Sequence, residues 1–316
     1  MHAPTMNVLL HYNAGPALKA RLGALPSLSL RFVAEGDDDA LFAALPDTDV
    51  LWHVLQPCTA AVIAAAPRLK LIQKIGVGVN TIDLEAAKAR GIAVCNLPGT
   101  NSRAVAEMAL LLMLATLRRL PQFDAGLRAG SWATPPLVQD RLGELGGRTV
   151  GLIGFGAVPA ILAPILAAIG CRVLYTARAP KPDLPYGYRK MNQLLAECDI
   201  VSLHVPQTPE TTHMIAAAEL ARMKPGAILI NTARGGLVDE PALVRALRAN
   251  HLAAAGLDVF EREPTPSDNP LLTLDNVVVA PHVAWVTSDT FDRSFTVAAD
   301  NISRLAAGMD LLNRVA

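Results

Sequence analysis

The sequence predicts an α/β protein of two doubly wound, parallel-sheet domains. Three observations carry that expectation. Short apolar runs alternate with helix-like stretches along the whole chain, the pattern of parallel sheets with crossover helices. The chain has 316 residues, of which 52% are hydrophobic, enough for two cores. The stretch 149–170, TVGLIGFGAVPAILAPILAAIG, runs from an apolar strand through Gly154-Phe155-Gly156 into a helix-spaced Ala/Leu/Ile segment. Strand, glycine turn and helix in that order form a Rossmann-like dinucleotide cradle. There Gly154 permits the turn and Gly156 lets backbone N–H groups approach a pyrophosphate at the helix start.

In chain order, strands are expected at 7–12, 28–34, 49–54, 69–75 and 92–96, with a helix near 16–25 and another at 84–90. The fourth strand ends in Gly76-Val77-Gly78-Val79-Asn80. That loop is either a plain strand-to-helix turn or a nest of backbone amides suited to a carboxylate. Lys74, just before it, is read either as a cation beside such an anion or as a surface lysine whose stem covers apolar surface. Pro98-Gly99 breaks the chain, and Asn101 or Ser102 caps a long apolar helix at 103–119. Its residues 108–114 are apolar nearly all round, which suits a helix that bridges domains or subunits. The segment 121–148, with Trp132 and Pro135-Pro136, reads as irregular.

After the glycine turn, strands are expected at 172–176, 200–205, 227–231, 253–257 and 277–280, with a helix at 240–249. Pro159 replaces the third glycine of the fingerprint, and it is tolerable in a first helical turn. Pro164 removes an interior hydrogen bond and is expected to kink the helix or shift its start. The second strand of this domain ends at Ala177, where a carboxylate for the adenosine ribose is expected, and Arg178 and Lys181 follow. They are either solvated cations or partners for a 2′-phosphate; the reading favours NADP, with NAD as the other option. Several polar residues, His204, Thr232, Arg234, Asp258 and His282, lie just past strand ends, with Pro206 and Ala233 beside them, where open α/β sheets bind ligands.

Composition limits the partners. The 28 basic and 28 acidic residues cancel, which disfavours nucleic acid but not a small anion. Cys58, Cys95, Cys171 and Cys198 lack metal or redox spacing and read as buried free thiols of a reducing compartment. MHAPTMNVLLHY lacks the features of a signal peptide, and no apolar run is long enough to span a bilayer, so a cytoplasmic location with no membrane partner is expected.

The segments LHVPQTPETTHMI, MKPGAILINTARGGLVDE, GLDVFEREP and APHVAW, in this order, resemble the D-isomer-specific 2-hydroxyacid dehydrogenases. The resemblance extends upstream through KIGVGVNTIDLEAAKARGIAVCNLPGTNSRAVAEMA and ends with NISRLAAGMDLLNRV, covering nearly the whole chain from Val8. It implies a cofactor domain, 101–286, inserted in a discontinuous substrate domain, 1–100 and 287–316, with a homodimer built on the long helix. It also implies a catalytic set of Arg234, Glu263 and His282, which outside that register read as a salt bridge and a structural histidine. Val77 and Gly78, with Arg234, fall where the family holds the substrate carboxylate. Cofactor contacts fall on Gly154, Gly156, Ala157, Val158, Arg178, Lys181, Pro206, Thr232, Ala233 and Asp258; Asp258 equally suits a turn cap.

Surface or structural roles are expected for His204 and His213, while Trp285 lines the substrate pocket or packs where domains meet. Two departures from the family pattern are Pro159 and Asn80, the latter in place of an Asp. The chain stops soon after the last family helix, so an appended regulatory domain of the phosphoglycerate dehydrogenase type is not expected. The segment TARAPK and the HVAW ending resemble glyoxylate/hydroxypyruvate reductases. They imply hydride transfer between a nicotinamide cofactor and a small 2-keto or D-2-hydroxy acid. Two other readings share the fold: a dinucleotide-sensing scaffold, and a formate- or phosphite-type dehydrogenase.

Overall fold

The computed structural model describes residues 6–25, 28–132 and 135–316. The chain divides into two compact units, Met1–Asn101 with Thr287–Ala316, and Ser102–Val286, one residue beyond the boundary read from the sequence. Each unit is built on one all-parallel sheet, so the expected α/β class holds.

The first unit carries β1 (Met6–His11), β2 (Leu28–Val33), β3 (Val50–His53), β4 (Leu71–Lys74) and β5 (Ala93–Cys95), in the spatial order β2-β1-β3-β4-β5. β3, β4 and β5 are buried throughout, as expected of parallel strands covered on both faces. The order reverses between β1 and β3, and a crevice opens at the carboxyl ends of strands flanking such a reversal. The last helix, Ser288–Ala306, returns to this unit. It is capped by Thr287, whose hydroxyl accepts from the Thr290 N–H at 3.0 Å. Its buried Asn301 donates to Gln73 Oε1 at 2.7 Å and accepts the Leu312 N–H at 2.7 Å, so the amides of helix and sheet satisfy each other. The chain end then pairs with β5, the Val315 N–H donating to the Val94 carbonyl at 2.8 Å.

The second unit carries β6 (Thr149–Ile153), β7 (Arg172–Thr176), β8 (Gly187–Tyr188), β9 (Ile200–Leu203), β10 (Ala227–Asn231), β11 (Leu252–Leu257) and β12 (Val277–Val279). Their order is β12-β11-β10-β9-β6-β7-β8. Successive residues alternate between two cores. Val201, Leu203 and Leu229 pack with Leu194, Leu243 and Leu247 on one face. Ile200, Ile228 and Ile230 pack with Leu112, Leu162 and Leu166 on the other. Each buried aliphatic side chain contributes on the order of 1.5–3 kcal/mol. The helix Ser102–Arg118 comes so close to the sheet that a Cβ on Gly256 would lie 2.9 Å from Leu112 Cβ. Its other face leaves Leu111 and Leu114 exposed.

Two sequence expectations change here. The segment 121–148 is not simply irregular: it contains helices Leu120–Arg128 and Pro136–Gln139. The prolines at the first or second helical positions, Pro121 and Pro136, fit a first turn, where no N–H partner is lost. The helix after the glycine turn runs unbroken from Ala157 to Ala168 with Pro164 inside, so its start is not displaced. Pro159 is the third residue of that helix, within the first turn, and is itself buried.

All four cysteines are free and buried. Burial pushes the Cys58 and Cys198 thiols up to about 12, leaving them protonated and unreactive at neutral pH. Among the described residues, no helix is long and apolar enough to cross a membrane.

Candidate active site

The glycine turn sits at the strand reversal of the second unit, between β6 and β9. Gly154 has φ +92°, and a Cβ there would lie 2.5 Å from the His204 carbonyl oxygen at the end of β9. Both backbone conformation and the neighbouring strand therefore demand glycine. Gly156, the residue before the helix, is different: its φ is −97° and a Cβ there would meet nothing within 4 Å. The space beside it is open, and the N–H groups of Ala157 and Val158 begin the helix without partners in its ladder.

At the end of β7, Tyr175 Oη accepts the Lys181 N–H at 2.7 Å and donates to the Lys181 carbonyl at 3.1 Å. This clamp folds 176–181 back, and Lys181 Nζ donates to the Phe155 carbonyl at 2.7 Å. One of the two sequence-predicted cations is thus fixed on the glycine turn itself, with further N–H donors in hand. Arg178 lies exposed on the same segment.

The turn after β10 is shaped by Asn231, which the sequence reading passed over although it opens NTARGG. Its Oδ1 accepts the Ala233 N–H at 3.0 Å and its Nδ2 donates to the Arg234 carbonyl at 2.8 Å. Side-chain turns of this type are a known habit of asparagine at strand ends. Thr232, next to it, is buried with an Oγ1 that has no hydrogen-bond partner among the described residues. An orphaned buried hydroxyl is costly unless a ligand or water completes it. Open space at Gly156, free amides at the helix start and the unsatisfied Thr232 hydroxyl all fit a nicotinamide dinucleotide. Pro206 is exposed, and its carbonyl accepts from Thr211 Oγ1 at 2.8 Å.

Arg234, Glu263 and His282 form one polar cluster within this unit. His282 Nδ1 lies 2.7 Å from Glu263 Oε2, and Glu263 Oε1 accepts the Phe260 N–H at 2.9 Å. Burial pushes the Glu263 carboxyl up, but the hydrogen bond and charge of His282, the Phe260 N–H and the Arg234 guanidinium together hold it below its ordinary value. Burial lowers the Arg234 guanidinium, against the pull of Glu263, without threatening its charge. Arg234 Nη1 also donates to the Ala233 carbonyl at 2.6 Å. His282 itself has φ +55°, a conformation uncommon for a residue with a side chain. Its N–H donates to the Asp258 carbonyl at 2.7 Å, which holds it there.

Asp258, fully buried, accepts the N–H groups of Val283 and Ala284, each at 2.9 Å. Burial raises its carboxyl, and the two amides oppose that rise. The residue therefore ties the 282–284 turn to the end of β11, and each oxygen keeps a lone pair for a further donor. Trp285 is buried beyond that turn. His204 pairs with Ser202 Oγ at 2.9 Å, and burial pushes its imidazole down to about 3, so it stays neutral. His213 lies 2.6 Å from Glu261 Oε1.

In the first unit, Gly76 takes φ +154°, and the carbonyl of Val77 accepts from Asn96 Nδ2 at 2.8 Å. That bond fixes the peptide between Val77 and Gly78. Lys74 is buried, not a surface lysine, and its Nζ faces the Val54 carbonyl.

A family model described as D-isomer specific 2-hydroxyacid dehydrogenase, NAD binding domain, matches residues 110–284. A glyoxylate reductase of Korarchaeum cryptofilum is 40% identical over 290 residues, 90% of this chain and 85% of that protein. A D-3-phosphoglycerate dehydrogenase of Mycobacterium bovis is 40% identical over 308 residues, 95% of this chain, which spans only 57% of that relative's length. Among solved structures, the NADPH-dependent glyoxylate/hydroxypyruvate reductase of Sinorhizobium meliloti, in complex with NADP and malonate, superposes with a TM-score of 0.83 at 32% identity. The superposition covers 99% of this chain and 97% of that one. The chain belongs to the D-isomer-specific 2-hydroxyacid dehydrogenase family.

Proposed function

We propose that this protein is an oxidoreductase of the glyoxylate/hydroxypyruvate reductase type, reducing a small 2-keto acid to its D-2-hydroxy acid with NADPH. The observation that carries the reading is the 2.7 Å pair of His282 and Glu263, with Arg234 in the same cluster. When bound, the dinucleotide supplies the hydride. Gly154, Gly156, Ala157 and Val158 hold its pyrophosphate, Pro206, Thr232, Ala233 and Asp258 contact it further along, and Arg178 and Lys181 receive the 2′-phosphate.

The protein's own part is proton transfer and orientation. Val77 and Gly78 N–H groups bind the substrate carboxylate together with Arg234, whose planar fork suits a carboxylate and polarises the keto oxygen. His282 gives a proton to that oxygen from Nε2, since Nδ1 is engaged by Glu263. The Glu263 carboxylate, 2.7 Å from Nδ1, orients the ring. In the reverse direction the neutral ring takes the proton back.

The test is a panel of glyoxylate, hydroxypyruvate, pyruvate, a bulkier keto acid, and formate and phosphite as donors, each with both cofactors. Turnover of a small keto acid with NADPH is expected. Oxidation of formate or phosphite alone, or cofactor binding with no turnover at all, overturns the reading in favour of the other two members of this fold. Arg178→Ser combined with Lys181→Ser is expected to raise KM for NADPH at least about tenfold and leave that for NADH within about twofold, because each charge-assisted phosphate contact carries roughly 1.5–3 kcal/mol. Equal losses with both cofactors would remove the 2′-phosphate assignment.

The same reading includes a homodimer formed on the helix Ser102–Arg118. Exposed Leu111, Leu114, Leu120, Leu127 and Trp132, all on this helix or the stretch just after it, support it. A cytoplasmic location is consistent with four unpaired, buried thiols.

A further inference from the structure

Lys74 ends β4 and hands the chain to the Gly76–Asn80 loop. At this register the three strands place His11, His53 and Lys74 side by side, all buried at the carboxyl ends of β1, β3 and β4. The lysine stem runs beneath the first glycine of the loop, where a Cβ on Gly76 would lie 3.5 Å from Lys74 Cε. Its ammonium reaches two separate segments. It donates to the Val54 carbonyl in the loop after β3, sits 3.4 Å from His53 Nδ1, and sits 3.5 Å from Thr81 Oγ1. Thr81 follows the glycine loop directly, so one ammonium spans from the loop's start to its end.

Burying an ammonium costs several kcal/mol unless hydrogen bonds and charge repay it, and an apolar side chain fills such a core position without that cost. His53 cannot share the charge, because burial first and the nearby ammonium second hold its imidazole neutral. His53 Nδ1 lies 3.4 Å from the ammonium, which can only donate. A positive charge at this point therefore resides on Lys74 and not on His53, under a loop whose N–H groups are the proposed carboxylate donors. A localised charge beneath an amide nest adds to its attraction for an anion.

We propose that Lys74 is a positioning residue for substrate binding, tying the loop after β3 to both ends of the Gly76–Asn80 loop so that the Val77 and Gly78 amides converge on the substrate carboxylate. The proposal rests on the reading of that loop as the carboxylate site. It assigns Lys74 an effect on the affinity for the acid and none on the cofactor.

The test compares the wild type with Lys74→Met, Lys74→Arg and Thr81→Val. The readouts are steady-state reduction of glyoxylate, NADPH affinity, and calorimetric binding of oxalate in the presence of NADP. Lys74→Met is expected to raise KM for glyoxylate at least about tenfold with kcat within about twofold, the pattern of lost uniform binding. Oxalate affinity falls by the same factor and NADPH affinity is unchanged. Lys74→Arg restores a large part of both losses, which a purely steric role would not produce. Unchanged KM and oxalate affinity overturn the proposal, as does a parallel loss of NADPH affinity. If Lys74→Met fails to fold, Thr81→Val, which removes one tie and no charge, decides: a smaller KM rise supports the assignment and none overturns it. A wild type that binds oxalate but turns over no keto acid overturns the proposed reaction while leaving Lys74 testable by binding alone. A wild type that does not bind oxalate overturns both.

Discussion

His282→Ala is expected to lower kcat by about a thousandfold, in the middle of the range that a positioned acid or base supplies, while NADPH still binds. The reason is positional. The ring is held by a carboxylate at 2.7 Å, and its backbone by the Asp258 carbonyl at 2.7 Å, so the proposed proton delivery depends on this one fixed side chain. Stopped-flow reduction and fluorescence titration of NADPH measure the two quantities separately. Retained turnover removes His282 from the chemistry; lost cofactor binding makes its role structural.

Glu263→Gln is the companion test. The amide keeps the shape and an oxygen for His282 Nδ1–H but removes the charge from that hydrogen bond. The kcat for reduction, followed as a pH profile, is expected to fall at least about tenfold across the neutral range, within the span that a positioned acid–base pair supplies. Because the Glu263 carboxyl lies below its ordinary value, it stays ionised across the neutral range in the wild type, and the difference between the two enzymes is readable there. Superimposable profiles would leave Glu263 as a packing residue.

How legible this was in the sequence depends on what kind of information each feature needs. β6, β9 and β10 were readable because strands buried on both faces are mostly apolar runs, and the Gly154 turn because a left-handed φ leaves few residue choices. The helix Leu120–Arg128 was not, since none of its residues is buried and its proline and glycine resemble loop composition. Arg234, Glu263 and His282 could be picked out by their order along the chain, but not what holds them. The Phe260 N–H on Glu263 and the two amides on Asp258 come from the backbone, which carries no residue-type signal. Lys74 went unresolved for a related reason: a lysine at a strand end looks the same in sequence whether its ammonium meets water or two other segments of the fold.

Two glycines separate fold from function most sharply. A Cβ on Gly235 would stand 1.8 Å from the Phe260 carbonyl carbon and 1.9 Å from its oxygen. The obstruction is backbone, so no rotamer change relieves it, and the displaced segment is the one that leads to Glu263. Gly235→Ala is therefore expected to destabilise the protein by at least about 3 kcal/mol, the upper end for overpacking, and to abolish reduction by moving Arg234 and Glu263 apart. Gly156→Ala has the opposite profile. Its φ of −97° suits alanine and its Cβ meets nothing within 4 Å, so thermal unfolding is expected to be unchanged. That same empty space is where a pyrophosphate approaches the helix start, so NADPH affinity is expected to fall at least about tenfold, a penalty of roughly 1.4 kcal/mol. Thermal melts and NADPH titrations of both variants read the contrast directly. A destabilised Gly156→Ala, or one with full cofactor affinity, would mean that the opening beside Gly156 is not the cofactor's.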